Sequence, residues 1–402
     1  MDTLLLDNTQ KNVTGFLQIV GSKSISNRLL ILQALYPNIT VKNLANAADT
    51  QVLIKALSST ENTIDIGHAG TAMRFLTAYF ASKVENEVVL TGSSRMQERP
   101  IKILVDALRD LGADISYLKK EGYPPLRIKG KVLIKNELTI NGSISSQYIS
   151  ALLLIAPQLA TGLTLHLEGK VTSVPYIEMT LALLKEIGVN ALFEGNKIII
   201  KPLAKALGKP LVVASDWSAV SYYYSLIALA KNGNLRLKSF PEKSLQGDKA
   251  VMTIYKKLGV KTVVENDTLV LTKANTIIKH LELDLKNTPD IAQTIAVTCF
   301  GLGISCELKG LHTLKIKETD RLVALKTELE KLGALVKITD DSIYLAKRGS
   351  IKPDCSIATY QDHRMAMAFA PLALLVPIRI EEAAVVKKSY PDFWQDLDKV
   401  LY

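Results

Sequence analysis

Six times along the chain, a short run of small polar residues, often carrying a cation, leads straight into a strongly apolar stretch. The polar runs are Ser22–Arg28, Gly70–Arg74, Ser145–Gln147, Asp216–Ser218, Thr288–Asp290 and Asp362–Arg364. The apolar stretches after them, at 29–35, 75–81, 148–157, 219–230, 291–301 and 365–376, predict buried helices. A helix start offers unpaired N–H groups and about half a positive charge, which suits an anion. Six such starts, several with Lys or Arg attached, predict a protein that grips a heavily anionic small ligand.

A second pattern shares the period of the first. Amphipathic helices predicted at 103–111, 179–187, 250–258 and 322–332 each end at a glycine: Gly112, Gly188, Gly259 and Gly333. Glycine there can take the left-handed conformation that closes a helix. These glycines are 76, 71 and 74 residues apart, and the polar-to-apolar starts at 70, 145, 217, 288 and 362 are 75, 72, 71 and 74 apart. A shorter first unit (the Ser22 helix, then 49–58) and a last helix at 392–401 complete six copies. Strands are predicted at 163–167, 197–200, 268–271 and 342–345. Self-similarity of this kind marks a repeat architecture, and mixed α/β units favour two lobes of three units over a solenoid.

Length and composition agree with two domains: 402 residues, 48% apolar and 22% charged. The net charge of +10 suits nucleic acid, an anionic membrane surface or acidic metabolites. The cations are spread along the chain with few aromatics among them, which argues against nucleic acid. Cys299, Cys306 and Cys355 form no CxxC pair and have no metal-ligand spacing with the five histidines, so a reducing compartment and no structural zinc are expected. Residues 1–7 lack the features of a signal peptide, and prolines at 157, 371 and 377 break the most apolar stretches short of a membrane span. A cytoplasmic protein follows.

The candidate chemistry lies in the polar runs. Ser24 and Arg28 stand one turn apart, as do Lys23 and Asn27. Cations in a first turn oppose the helix dipole, so they make sense with an anion against them. Lys317 and Arg321 repeat that logic as like charges at i, i+4, with Glu318 beside them as a candidate proton donor. His363 and Arg364 open a helix apolar nearly all round, and Arg364 has the planar fork that suits carboxylate or phosphate. Arg95–Pro100 and Val386–Pro391 add cations ahead of helices. Asp290 has no cation in its own motif; it either caps its helix or acts as a base among cations from elsewhere. Nucleotide, flavin and metal motifs are absent, and no cofactor is expected.

Together these motifs resemble the 5-enolpyruvylshikimate-3-phosphate synthase family of enolpyruvyl transferases, from Gly21 to Asp392. The resemblance is carried by Gly21–Arg28, Ala69–Arg74, Arg95–Pro100, Ser143–Gln147, Lys317–Arg321 and Asp362–Met367, in that order. It implies transfer of the enolpyruvyl group of phosphoenolpyruvate to the 5-hydroxyl of 3-phosphoshikimate, through a tetrahedral adduct that then eliminates phosphate, on the shikimate pathway to chorismate and aromatic amino acids. The implied fold is α/β, two lobes of three βαβαββ units with a substrate cleft between them. It places the N-terminal lobe at 21–214 and the C-terminal lobe at 1–20 plus 215–402, with hinges near Val20 and Ser215. A monomer acting on small molecules, with neither nucleic acid nor membrane as partner, is expected.

Carried over by position, 3-phosphoshikimate falls to Lys23, Ser24, Arg28, Ser145, Ser146, Gln147, Ser173, Asp290 and Lys317, with Tyr176 nearby. Phosphoenolpyruvate falls to Lys23, Gly70, Arg99, Gln147, Arg321, Arg364 and Lys388. Asp290 is the implied base, while Glu318 with Lys23 manages protonation of the methylene carbon. Three positions depart from the family pattern: His68 where Asn is frequent, Phe75 where Pro is frequent, and Thr313 where an Asn commonly contacts the phosphorylated substrate. The resemblance also implies inhibition by glyphosate, a phosphoenolpyruvate mimic, which Gly70 favours. The nearest alternative is the sister transferase acting on UDP-N-acetylglucosamine, which has Lys-Asn where this chain has Lys23-Ser24 and a loop cysteine where this chain has none before Cys299. A nucleic-acid-binding repeat protein explains the charge but not Asp290, Glu318 and the ordered motifs.

Overall fold

The computed structural model describes residues 3–8, 11–143, 145–169, 171–276, 278–347 and 349–401. Contacts divide the chain into two compact units, Ser22–Val213 and Met1–Gly21 with Ala214–Tyr402. Helices of the first unit are α1 (Lys23–Leu35), α2 (Ala48–Ser58), α3 (Gly70–Ser82), α4 (Ser94–Gln97), α5 (Lys102–Asp110), α6 (Ser146–Ile155) and α7 (Val174–Glu186). The second has α8 (Trp217–Leu229), α9 (Val251–Lys257), α10 (Ala292–Leu302), α11 (Arg321–Lys331), α12 (His363–Phe369) and α13 (Phe393–Leu401).

All six apolar stretches form helices. α1, α3 and α6 pack on one another in the first unit, and α8, α10 and α12 do so in the second. Proline changes two of them. The stretch at 365–376 is α-helical only to Phe369 and continues as a 3-10 turn over Ala370–Leu374, and the stretch after Ser145 ends in a 3-10 turn over Ala156–Gln158. Pro371 and Pro157 lack the N–H that the α ladder needs and crowd the preceding turn, so the last turns tighten. Pro175 in the first turn of α7 has the opposite effect, starting that helix at Val174, earlier than the apolar periodicity predicts. The four helix-ending glycines have φ of +109°, +101°, +86° and +98°, a region that costs other residues steric strain.

The repeat also shows in the sheets. Each four-stranded sheet has one parallel pair extended by two antiparallel strands. Strand Thr63–Asp65 runs parallel to Glu87–Thr91, which pairs with Leu126–Lys129 and through it with Asp114–Tyr117. Glu137–Asn141 with Leu163–Glu168, and His280–Asp284 with Ser305–Lys309, begin two more. Three pairings run across the chain order among the described residues: Asn12–Gln18 runs parallel to Asn232–Lys238, Leu4–Leu6 pairs antiparallel with Ile378–Ile380, and Val41–Lys42 runs parallel to Leu211–Val212. The first strands therefore belong to the second unit.

Polar rungs inside the cores set how far each helix slides along its neighbour. Between α8 and α10, Ser221 Oγ lies 3.2 Å from Thr294 Oγ1, and Thr298 Oγ1 donates to Ser225 Oγ at 2.7 Å. Both pairs repeat at i, i+4, so the two helix starts come level. Glu328 of α11, fully buried, pins the loop ahead of α12. It accepts from the Ala358 N–H at 3.1 Å, the Tyr360 hydroxyl at 2.6 Å and Lys331 Nζ at 2.7 Å. Removing it deletes three hydrogen bonds that converge on a buried carboxylate, although Lys331 and Tyr360 can turn to water, so Glu328→Ala is expected to destabilise the protein by about 1–2 kcal/mol, read as a lower urea midpoint; an unchanged midpoint would refute the role.

Candidate active site

Arg321 is the hub of the second unit's site. It is 2% exposed at the start of α11 and is surrounded by three carboxylates. Its Nε donates to Asp362 Oδ2 at 2.6 Å, Nη2 to Glu318 Oε2 at 2.8 Å, and Nη1 to Asp290 Oδ1 at 3.3 Å. Burial alone would lower its pKa, but Asp362, Glu318 and Asp290 outweigh that and raise it. Asp362 also caps α12 by accepting from the Arg364 N–H at 2.8 Å, so one buried carboxylate fixes both arginines.

Asp290 gathers three cations from two other segments. Arg364 Nη2 lies 2.9 Å from Oδ2, and its Nη1 donates to the Asp290 carbonyl at 3.0 Å. Arg321 lies at 3.3 Å and Lys317 Nζ at 3.9 Å. Asp290 sits in a 3-10 turn, Pro289–Ile291, where no side-chain cap bond forms. Of the two readings of this acid, the structure favours the one among distant cations. Burial by itself would raise its pKa, but Arg364, Lys317 and Arg321 hold the carboxyl far below the usual carboxylate range. Sequence spacing erred on one point: Lys317 lies outside the helix, which Asp320 caps by accepting from the N–H groups of Leu322 and Val323. The two cations therefore meet at Asp290 and not along a helix face. Lys388 Nζ donates to the Gln361 carbonyl at 2.7 Å, in the loop that leads to Arg364.

The first unit builds a different environment. Arg28 is 3% exposed, and among the described residues its guanidinium donates only to uncharged oxygens: Thr180 Oγ1 at 2.8 Å, Ser150 Oγ at 2.9 Å, and the carbonyls of Ser24 at 2.8 Å and Tyr176 at 3.3 Å. The Phe75 and Tyr176 rings lie 5.4 and 5.9 Å from it. Burial pulls its pKa down to about 10. Lys23, at the start of the same helix, instead pairs with Asp49 of α2 at 2.9 Å. Arg99, 7% exposed, lies over Gly70. A Cβ on Gly70 would stand 2.5 Å from Arg99 Nη1, so only glycine allows that approach.

Ser145 caps α6 through the Gln147 N–H at 3.3 Å, Ser146 is buried, and Gln147 Nε2 donates to Thr71 Oγ1 at 3.5 Å. Thr172 ties the start of α7 to this loop by donating to the Ser143 carbonyl at 3.3 Å. Next to it, Ser173 is buried with φ +55°, strained for a serine. Thr313 is buried too, and its hydroxyl has no hydrogen-bond partner among the described residues. Helix starts contribute less than the sequence predicts. α1, α6, α8 and α12 each spend an N–H on their own cap, and α8 spends three, two on Asp216 and one on Gln246. Arg74 turns inward to the carbonyls of Gly70 and Pro100. Sequence reasoning missed Asp248, a buried acid beside Asp290, because its Gln-Gly-Asp-Lys turn reads as an ordinary exposed polar turn ahead of an amphipathic helix and matches none of the recurring polar-to-apolar starts. Among the described residues no cluster of His, Cys, Asp and Glu could hold a metal, and no helix is long and apolar enough to cross a membrane.

Solved structures give the fold class. The chain superposes on EPSP synthase from Acinetobacter baumannii with a TM-score of 0.78 at 21% identity, covering 100% of this chain and 98% of that one. The enolpyruvyl transferase NikO from Streptomyces tendae gives 0.72 at 14% identity, covering 99% and 97%. The fold is therefore that of the enolpyruvyl transferases, in agreement with the expected α/β architecture. Sequence likeness then narrows the class. The family model described as EPSP synthase (3-phosphoshikimate 1-carboxyvinyltransferase) matches residues 53–397. The 3-phosphoshikimate 1-carboxyvinyltransferase of Bacteroides fragilis is 47% identical over 96% of this chain and 95% of its own length. That of Colwellia psychrerythraea is 37% identical over the whole of both chains. The chain belongs to the EPSP synthase family.

Asp290 supplies a test of the ion cluster that does not depend on turnover. A carboxyl held low in the folded state stabilises above its unfolded pKa of about 4, and that stability is lost as pH falls toward the folded value. Asp290→Asn is therefore expected to melt below the parent at neutral pH, with the deficit shrinking below about pH 4. A deficit equal at both ends of a thermal-melt series in pH would refute the ion-pair account.

Proposed function

We propose that the chain transfers the enolpyruvyl group of phosphoenolpyruvate to the 5-hydroxyl of 3-phosphoshikimate, releasing phosphate. Family membership supports the reaction, and one observation ties it to these residues: a carboxylate, Asp290, gripped by three cations from other segments. In the free protein those cations make Asp290 a poor base. Phosphate and carboxylate groups of the substrates compete for Arg364, Arg321 and Lys317, and each cation they take raises the basicity of Asp290. The base thus gains strength once the substrates are bound.

Asp290 then takes the 5-hydroxyl proton while Glu318, with Lys23, delivers a proton to the methylene carbon, and the alkoxide oxygen bonds to the adjacent carbon. The tetrahedral adduct then returns a methyl proton to Glu318 as the C–O bond to phosphate breaks with its electron pair, and the proton held by Asp290 leaves with the phosphate. Arg28 with Ser24 receives the carboxylate of 3-phosphoshikimate, Lys23 contributes to both substrates, and Ser145, Ser146 and Ser173 receive the phosphate. Gln147 serves both substrates. Arg99, Arg321, Arg364, Lys388 and the Gly70 backbone receive phosphoenolpyruvate, whose charge grows in the adduct and is met by prearranged cations. Residues 21–214 and the remainder (1–20, 215–402) each supply part of the set, so turnover requires both. A cytoplasmic monomer acting without a cofactor completes the reading; free Cys299, Cys306 and Cys355 suit a reducing compartment.

Phosphate release is expected only when both substrates are present, and Asp290→Ala should abolish it with the fold retained by circular dichroism. Release from phosphoenolpyruvate alone, or a fully active variant, would refute the assignment. Gly70→Ala should push the Arg99 guanidinium away and raise KM for phosphoenolpyruvate by about tenfold or more, leaving KM for 3-phosphoshikimate near the parent value. Equal changes in both constants would contradict the placement of Arg99.

A further inference from the structure

Asp248 is 4% exposed in the 3-10 turn Gly247–Ala250, outside every motif already described. That turn is stitched to the start of α8. Gln246 accepts from the Trp217 N–H at 2.8 Å and donates to the Ser215 carbonyl at 2.8 Å, and Ser218 Oγ donates to Asp248 Oδ2. The other carboxyl oxygen, Oδ1, is buried with no hydrogen-bond partner among the described residues. An ionised carboxylate in such a place is costly, because burial removes water and nothing replaces it on one side.

Its charged surroundings add to that cost. Asp216 faces it from α8 and Asp290 from the turn before α10, while Arg364 of α12 is the cation among them. Lys249, in the same turn, is directed to the Glu242 carbonyl. Arg364 is already engaged by Asp290, through both its carboxylate and its carbonyl. A second ionised carboxylate close to Arg364 would compete with an incoming anion for its charge.

We propose that Asp248 is a positioning residue that works as a neutral carboxylic acid, leaving Arg364 to be shared only between Asp290 and the anionic substrate. The proposal rests on the reading of Arg364 as a phosphoenolpyruvate ligand. Burial first, then the Asp290 charge, push the Asp248 carboxyl up to about 7, while Asp290 stays far below. Two carboxyl groups in one site whose environments drive them apart are suited to different tasks. When Asp248 loses its proton, it adds a negative charge beside Arg364 and weakens substrate binding.

Asp248→Asn keeps the shape of the protonated acid and removes its titration. KM for phosphoenolpyruvate in the parent is expected to rise several-fold between about pH 6.5 and about pH 8.5, and to stay flatter in the variant. At about pH 6.5 the two should have kcat within about threefold of one another. The substrate phosphate titrates alike with both proteins, so the difference reports Asp248. Infrared difference spectra of parent minus variant should show a carboxylic-acid carbonyl band at about pH 6 that fades by about pH 8. Parallel KM profiles, or absence of that band, would overturn the proposal. If Asp248→Asn does not fold, the band in the parent labelled with carbon-13 aspartate decides alone. Absence of turnover in both proteins, with the band present, would instead strike the proposed reaction.

Discussion

A buried guanidinium has to be neutralised, and in this protein that requirement organises the second unit's site. Arg321 is out of water, so its donors must end on oxygens, preferably charged ones. Asp362, Glu318 and Asp290 meet it, and each arrives from a different stretch of chain. Truncating any of the three leaves a buried charge short of a partner, which costs several kcal/mol in comparable cases. The start of α12, the turn before α10 and the segment ahead of α11 are thereby held to one another. Asp362 extends the hold to Arg364 by capping the helix on which it sits.

The first unit solves the same problem with hydroxyls and carbonyls. Arg28 has no carboxylate among its hydrogen-bond partners in the described residues, only Ser, Thr and backbone oxygens and two aromatic faces. Its positive charge is solvated by dipoles but not cancelled. A ligand carboxylate reaching it meets an undiluted cation, whereas an anion reaching Arg321, Arg364 or Lys317 must compete with Asp290. On the proposed reading Arg28 is ready before binding. On that reading the other cations are released by it, and the release raises the basicity of Asp290.

Much of this was legible in the sequence because it rests on local signals. Apolar runs after polar starts gave the six buried helices, and glycines after amphipathic runs gave helix ends at Gly112, Gly188, Gly259 and Gly333. Arg321 and Arg364 stood out because cations oppose the dipole of the helix starts they occupy, Glu318 because it is an acid between two cations, and Asp290 because its helix start has no cation of its own. What sequence could not give depends on long-range placement. Which acids neutralise Arg321 follows from how α10, α11 and α12 pack, and the partner of Lys23, Asp49, lies 26 residues away on another helix. Arg74, the cation of the Gly70–Arg74 motif, turns to the carbonyls of Gly70 and Pro100, and nothing local tells an arginine whether it faces carbonyls or solvent. Asp248 sits beside Lys249 in a turn that reads as solvent-exposed, so its burial was invisible. Proline effects within α6 and α12 were readable in principle, but apolar patterning masked them.

The hydroxyl rungs between α8 and α10 have a consequence for how this core can drift over time. Ser221 with Thr294 and Ser225 with Thr298 act as a vernier, since displacement by a turn, about 5.4 Å, would strand hydroxyls among methyl groups. Leucine, isoleucine and valine around them can therefore exchange for one another without moving the two helix starts apart axially. Genetic change in the greasy part of the interior is thus insulated from the catalytic end, and a stabilising redesign should vary those aliphatic neighbours while leaving the four rungs untouched.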